Sequence, residues 1–309
     1  DVQDFVLQYE NKSIYLDRLG RKGVKLAMNN MDLSLLNDYL NFEPMKFGGR
    51  CNVEARVEDV LSLKNLGISV VSDTFLINRD DWGLMRLDLK MKDRQHPLEA
   101  YFAMTKDTAQ LLLEGYYNLT TFGESSEQKA RYFDANLNIH SYPLRIADYF
   151  VGDVFKNLYG YFDTDLHVNG DINNPNIGGK MHLIKGGFTV DYLKTTYTFN
   201  KGDVVVDNFL FDMSDMLLYD KRKNRAQLDG GIRHDHLRRF GFNATLRTIE
   251  PFLALDTKKG DNEQFYGQAI GMGKINFSGS FQRPDISVNA AVGEGSRLVI
   301  PVRNKRKVG

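Results

Sequence analysis

The sequence has one cysteine, one tryptophan, only seven prolines, no excess of charge of either sign, and no run of about 18 apolar residues. Each scarcity excludes something. A lone Cys51 rules out an internal disulfide and any cysteine-rich zinc site, and as a single thiol it says little about redox compartment. Forty basic and 40 acidic side chains cancel over 309 residues, which argues against a nucleic-acid binder, because such proteins carry a clear basic excess. The closing cluster Arg303-Asn304-Lys305-Arg306-Lys307 is locally basic and reads as a solvated end. Zero net charge also offers no colloidal repulsion. Without a long apolar run no transmembrane helix is expected, and the opening residues lack the basic, apolar and small-residue succession of a signal peptide. A chain that starts at Asp1 reads as a segment of a longer one.

What is plentiful points to strands. Twenty-seven glycines, 20 phenylalanines and 15 tyrosines suit many short strands joined by turns, so the fold class expected is all-β. The sequence also repeats. Phe133, Ala135 and Leu137 alternate as Phe242, Ala244 and Leu246 do about 109 residues later, and Val24, Leu26 and Met28 fill the same slots earlier. Each copy runs into an amphipathic stretch, 33–40, 143–150 and 251–255. With apolar residues at i, i+3 and i+4, and Pro143 and Pro251 suited to a first turn, each stretch reads as a short helix. Gly-led strands follow at Gly48, Gly160 and Gly267, and Gly170 with Pro175 and Gly279 with Pro284 mark strand ends running into turns. The organisation expected is one continuous β-groove over 1–309, with repeat units of about 1–28 (partial), 29–137, 138–246 and 247–309 (partial).

Between these landmarks the period is two. Leu87, Leu89 and Met91 fall on one face of their strand and charges on the other, and Phe188, Val190 and Tyr192 alternate with polar or smaller partners. About 25 strands at roughly 4.8 Å each would make a flat sheet far wider than open twisted sheets sustain. The sheet must therefore fold on itself, as a sandwich with a filled core, a half-pipe with an apolar lumen, or an outer-membrane barrel. Helices repeated between strands disfavour the barrel. Alternation cannot separate the first two, but a tandem repeat favours the half-pipe, because stacked units leave a continuous concave surface. Its lumen would be a long apolar patch suited to an acyl chain. The candidate lining residues are Val24, Leu26, Met28, Leu87, Leu89, Met91, Phe133, Leu137, Phe188, Val190, Tyr192, Tyr197, Phe199, Val204, Val206, Phe209, Phe211, Phe242, Leu246, Ile286 and Val288. Ordinary filled core is the competing reading of the same residues.

Motifs for chemistry are weak. The glycines of Gly267 to Lys274 are wrongly spaced for a phosphate loop, and Ile275 stands where Ser or Thr should meet magnesium. His234-Asp235-His236 puts two imidazoles on one strand face without a third ligand beside them, so it reads as a wet turn. No nucleophile elbow and no His-Glu-x-x-His occurs, and Cys51 has no nucleophile motif around it. Neither a catalytic residue, a metal nor a cofactor is expected. Asn11, Asn118, Asn243 and Asn276 match the glycosylation pattern by chance in strand-dense sequence.

The stretch 132–302 resembles the C-terminal region of TamB-like proteins, the translocation and assembly module family related to AsmA. The residues that carry this are Tyr159-Gly160, Gly170 with Asn173-Asn174-Pro175, Asn200-Lys201-Gly202-Asp203, Leu228-Asp229-Gly230, Tyr266-Gly267, Gly279 with Pro284, and Gly295-Ser296-Arg297-Leu298-Val299-Ile300-Pro301. Residues 1–130 join mainly through the internal repeat. The resemblance implies a taco-shaped β-structure with a hydrophobic groove, crossing the periplasm of a diderm bacterium from an inner-membrane anchor and working with an outer-membrane barrel of the BamA type. It also implies phospholipid movement towards the outer membrane and assembly of outer-membrane β-proteins. The expectation is therefore a non-catalytic conduit segment whose partner is phospholipid or another acyl lipid. The alternatives are a chaperone for outer-membrane strands and a purely structural β-scaffold. The BamA-type barrel would be met by parts of the protein outside this chain, and no nucleic-acid partner is expected.

Overall fold

A computed structural model of the chain describes residues 5–40, 45–118, 132–171, 174–261 and 265–301. The basic cluster 303–307, Val302, Ile172 and Asn173, and the side chains of Tyr39 and Leu40 lie outside the described residues. Among the described residues the fold is all-β, with 23 strands, and every pairing between strands described below is antiparallel. The chain divides into two compact units, 1–142 with 163–179, and 143–162 with 180–309. None of the described helices is long and apolar enough to cross a membrane.

Unit 1 contains β1 (Phe5–Tyr9), β2 (Lys12–Leu19), β3 (Gly23–Asp32), β4 (Phe47–Gly48), β5 (Arg50–Val57), β6 (Leu66–Ser72), β7 (Leu76–Ile77), β8 (Asp80–Asp81), β9 (Leu84–Met91), β10 (Leu98–Lys106), β11 (Ala109–Tyr117) and β12 (Tyr132–Pro143). Nine of them pair in the order β1, β2, β3, β5, β6, β9, β10, β11, β12. β4, β7 and β8 make a small sheet of their own. Residues directly opposite in an antiparallel pair share a face, so the registers can be followed across the sheet. In β3 the register slips between Met28 and Met31. Asn30 there takes φ of 57° and donates its N–H to the Asn52 side chain at 2.9 Å. This bulge keeps Met28 opposite Val53 and Met31 opposite Cys51, so both methionines stay on the apolar side.

The division between the units runs through β13 (Phe155–Asp171) and β14 (Asn174–Val190). Unit 2 continues with β15 (Thr195–Val206), β16 (Leu210–Asp212), β17 (Leu217–Tyr219), β18 (Arg225–Asp235), β19 (Arg238–Thr248), β20 (Phe252–Thr257), β21 (Tyr266–Ser280), β22 (Arg283–Val292) and β23 (Arg297–Val299). β15 pairs with β16 and β17, both of these with β18, and β18 with β19. β21 then takes β19 and β20 along one edge and β22 and β23 along the other.

Helical turns follow the first two copies of the repeat. The 3-10 turn Leu33–Leu36 runs into α1 (Asn37–Leu40), and Leu144–Ala147 runs into α2 (Asp148–Val151). The third copy departs from expectation: 251–255 does not form a helix but enters β20. Phe252 and Leu253 are both sealed from solvent, at 0% and 2% exposure, and Leu255 is buried too. A helix would keep Phe252 and Leu255 on one face but turn Leu253 about 100° away from Phe252, whereas a strand with a bulge between Leu253 and Leu255 buries all three. Buried Asp220 fixes the choice. Its carboxylate accepts the Leu253 N–H at 2.9 Å, and Asn224 from the same turn donates its side-chain N–H to the Pro251 carbonyl at 2.7 Å.

Candidate functional site

The apolar side chains of unit 1 form rows that cross the strands. One runs Leu7, Ile14, Met28, Val53, Val70, Leu87, Phe102, Leu113, Leu137, each opposite the next. From Ile14 to Leu137 it crosses eight strands, roughly 34 Å at the usual strand spacing. Beside it runs Phe5, Leu16, Leu26, Ala55, Ile68, Leu89, Ala100, Gly115, Ala135. A further row contains Val24 opposite Val57, Leu66 opposite Met91, and Leu98, Tyr117 and Phe133 in succession. The candidates Val24, Leu26, Met28, Leu87, Leu89, Met91, Phe133 and Leu137 thus share one face. Apart from Met91, which is buried, they are half-buried, neither sealed nor fully wet. The opposite face is polar: Glu54, Ser69, Asp88, Tyr101, Glu114 and Asn136 lie in a single row.

Gly115 sits where the row is shallowest. A Cβ there would lie 2.2 Å from the Asp134 carbonyl oxygen and 2.6 Å from the Ala135 Cβ, so glycine is what allows β11 and β12 to approach. On the charged face a cavity of about 500 Å³ is lined by residues including Arg86, Asp88, Lys90, Glu99 and Tyr101. Arg86 Nε donates to Asp88 at 2.6 Å, and this bond holds the carboxyl below its ordinary value. These two charges satisfy each other.

The two ends of the apolar face differ. At the end holding the connections after β3 and after β6, a cap seals it: Leu33, Phe75, Ile77, Trp82 and Tyr142 are all at most 5% exposed. Trp82 stacks on Tyr142 with ring centroids 5.5 Å apart, and Phe47 stacks on Phe75 at 5.7 Å. Asn37 ties the cap to the strands, since its side chain both donates to and accepts from the main chain of Phe47 at 2.8 Å. Below the cap Met85, Met104 and Ile139 are buried. At the other end lie the turns at 20–22, 58–65 and 92–97, which are exposed and charged.

Unit 2 treats its aromatic residues differently. Phe155 meets Phe188 at 5.3 Å, Phe242 at 6.0 Å and Phe281 at 6.2 Å, and Phe242 meets Phe281 at 4.9 Å and Phe277 at 6.1 Å. Phe188 also meets Tyr197, which stacks on Phe252 at 5.1 Å. The Tyr197 hydroxyl donates to the Leu253 carbonyl at 3.1 Å, and burial pushes the phenol above its ordinary pKa. These contacts join β15 to β20 and fill the interior with rings. Of the candidates here, Tyr197, Phe199, Val204, Val206 and Leu246 are at most 3% exposed, and Val190 and Phe242 are also buried. Val206, Phe211, Ile232 and Phe242 share one row, and Leu228, Leu246, Ile275 and Val288 another. Ile286 lies opposite Phe277 on the same face and is half-buried, as are Phe188 and Phe211. Tyr192 is 44% exposed in the turn after β14, against Phe265, while Phe209 at 59% and Val288 at 63% face water.

Sequence reasoning missed Ile14, Val53, Val70, Phe102 and Leu113, although each obeys the alternation that singled out Leu87 and Leu89. His234 is not in a wet turn: it is 1% exposed, and its Nδ1 accepts the Leu237 N–H at 3.0 Å. Among the described residues no three His, Cys, Asp or Glu side chains are grouped to hold a metal. No protein-family model, curated protein or solved structure matches the chain.

Proposed function

We propose that the apolar face of unit 1 carries acyl lipid, and that the chain is a non-catalytic, lipid-conducting segment of a TamB-like protein in the periplasm of a diderm bacterium. The observation that carries this reading is the row from Ile14 to Leu137, apolar at every position across eight strands yet half-buried throughout. Monomers rarely leave so long an apolar surface without an occupant. Each methylene sheltered there avoids about 0.8 kcal/mol of hydration cost, so no reaction is required to move hydrocarbon through an aqueous space. The packed rings of unit 2 fit a scaffold better than a conduit, which favours unit 1 as the lipid surface. The location, the inner-membrane anchor and the BamA-type barrel rest on the resemblance alone.

The test is photo-crosslinking in the presence of phospholipid vesicles. A crosslinker at Leu89 is expected to capture lipid and one at Lys90, on the charged face, is not. Equal labelling at both positions, or none at Leu89, refutes the reading. One observation favours the chaperone alternative: in β1, Phe5, Val6, Leu7 and Tyr9 are each at least 51% exposed, on both faces of the strand. Capture of an unfolded outer-membrane strand at Val6, with no lipid at Leu89, would select it.

A further inference from the structure

The occupant of the apolar face can be specified further, on the understanding that this rests on the lipid reading just given. The three exposed turns at one end of unit 1 form a connected rim. The Val60 N–H donates to the Lys22 carbonyl at 3.1 Å, and the Asn65 N–H to the Lys92 carbonyl at 2.8 Å. The main chain therefore links the 20–22, 58–65 and 92–97 turns side by side, directly above the row that contains Val24, Val57, Leu66 and Met91.

Charge on this rim is unbalanced. It carries Arg21, Lys22, Lys64, Lys92 and Arg94, and Arg18 lies opposite Val24 on the apolar side itself. Three acids face them, and each has partners of its own. Asp59 accepts the Leu61 N–H at 2.9 Å and lies 3.7 Å from Lys22, Glu58 accepts from the Asn65 side chain at 2.8 Å and lies 3.9 Å from Lys64, and Asp93 binds the Gln95 N–H and the His96 ring. The Lys22 and Lys64 side chains are 72% and 62% exposed. Pairs so long and so exposed contribute little, and an incoming phosphate can exchange with them. Leu61 at 80% exposure and Val60 at 47% project from the same rim, so apolar and cationic groups alternate along it. The opposite end of the face is sealed by the Trp82 and Tyr142 cap, and basic groups there have acidic partners, Arg50 with Asp32 and Lys106 with Asp81.

We infer that the rim formed by the 20–22, 58–65 and 92–97 turns is the headgroup subsite for an anionic phospholipid, its phosphate among the basic side chains and its acyl chains lying along the strands, across the successive apolar rows, towards the cap. The rim thus selects for negative charge and sets polarity, headgroup at the turns and methyl ends at the aromatic cap.

The full chain would be mixed with vesicles of phosphatidylglycerol or of phosphatidylcholine, separated from them, and the lipid carried away counted by native mass spectrometry. Phosphatidylglycerol should exceed phosphatidylcholine by roughly tenfold at low salt, and the excess should shrink as salt screens the rim. Replacing Arg21, Lys64, Lys92 and Arg94 by Gln should bring the ratio near one while phosphatidylcholine uptake stays unchanged. A ratio near one in the wild type, or a variant that keeps the preference, overturns the subsite and leaves the lipid reading standing. Glycerol phosphate without acyl chains should not compete; if it competes as well as lipid does, the site is one for soluble anions and the inference fails. Vesicle adhesion with no lipid leaving the vesicle also overturns it, in favour of a membrane-docking surface. Failure to carry either lipid removes the lipid reading itself.

Discussion

Asp220 decides how the third repeat copy folds, and removing its carboxylate is the sharpest test of that account. The side chain is 1% exposed. One oxygen accepts the N–H groups of Arg222 and Asn224, at 2.8 and 2.9 Å, closing the turn after β17, and the other accepts the Leu253 N–H at 2.9 Å, pinning β20. In Asp220→Ala the Leu253 N–H is left buried without a partner, which costs about 1–3 kcal/mol. The two turn N–H groups can partly regain water and add about 0.5–1 kcal/mol each. The loss expected is therefore roughly 2–5 kcal/mol, a large fraction of an ordinary domain's stability. Asp220→Asn should lose nearly as much, because an amide cannot accept at both ends. Urea titration followed by far-UV circular dichroism would measure the loss. Trp82, the lone tryptophan, lies in unit 1, so its fluorescence gives a separate reading of that unit. A loss below about 1 kcal/mol for Asp220→Ala, or an unchanged hydrogen-exchange rate at Leu253, would refute the role assigned to the carboxylate.

Three other perturbations have defined outcomes. Burial holds the His234 imidazole below its ordinary value of 6.5, against the opposing pull of the Asp207 main chain and carboxylate and of Asp235, with His236 acting in the same direction as burial. The unfolded chain therefore takes up this proton first, so the stabilisation is complete above about pH 6.5 and is lost as pH falls from there towards the folded value. His234→Phe should flatten that part of the pH profile of the urea midpoint, and an unaltered slope would contradict it. Burial, and secondarily the charge of Asp32, push the Cys51 thiol up, so a thiol reagent at pH 8 should label it only on unfolding; rapid labelling of the native chain would show the site to be open. Gly115→Ala should lower the Trp82 unfolding midpoint by several degrees, because the added Cβ cannot fit beside Asp134 and Ala135 without moving a strand.

The parts of this structure that could be read from sequence are those governed by period alone. Leu87, Leu89 and Met91 announce a strand with one dry face, and the registers carry that face through Val70 and Phe102, whose alternation is blurred by the adjacent Val71 and Tyr101. Alternation resumes out of phase where a strand changes parity. In β15 the buried residues are Thr195, Tyr197 and Phe199, then Gly202, Val204 and Val206, with Asn200 and Lys201 both exposed between them. The 251–255 stretch is ambiguous in sequence because four apolar residues after a proline suit a helix and a buried strand equally. The deciding groups, Asp220 and Tyr197, are distant in sequence. The cap is invisible in sequence for the same reason: Phe75 and Trp82 are isolated aromatics until the connection after β6 brings Trp82 onto Tyr142 at the end of β12. The rim lysines look like any solvated turn until the main chain joins Lys22 to Val60 and Lys92 to Asn65.

The unit 1 rows also bear on kinetics. For a hydrocarbon lying along the strands, a sideways step of one strand exchanges Val53 for Val70, or Leu113 for Leu137, and no polar side chain in the row marks a stopping place. Differences between such neighbours amount to a methylene or two, on the order of 1 kcal/mol. The landscape across these rows is therefore gently corrugated, with Phe102 in one row its bulkiest feature and the Ala100, Gly115 and Ala135 positions of the row beside it its lowest ground. Residence would be short at every strand. Net displacement would then be set by what happens at the two ends of the path, and substitutions in the middle should alter flux only when they introduce a barrier taller than this ripple.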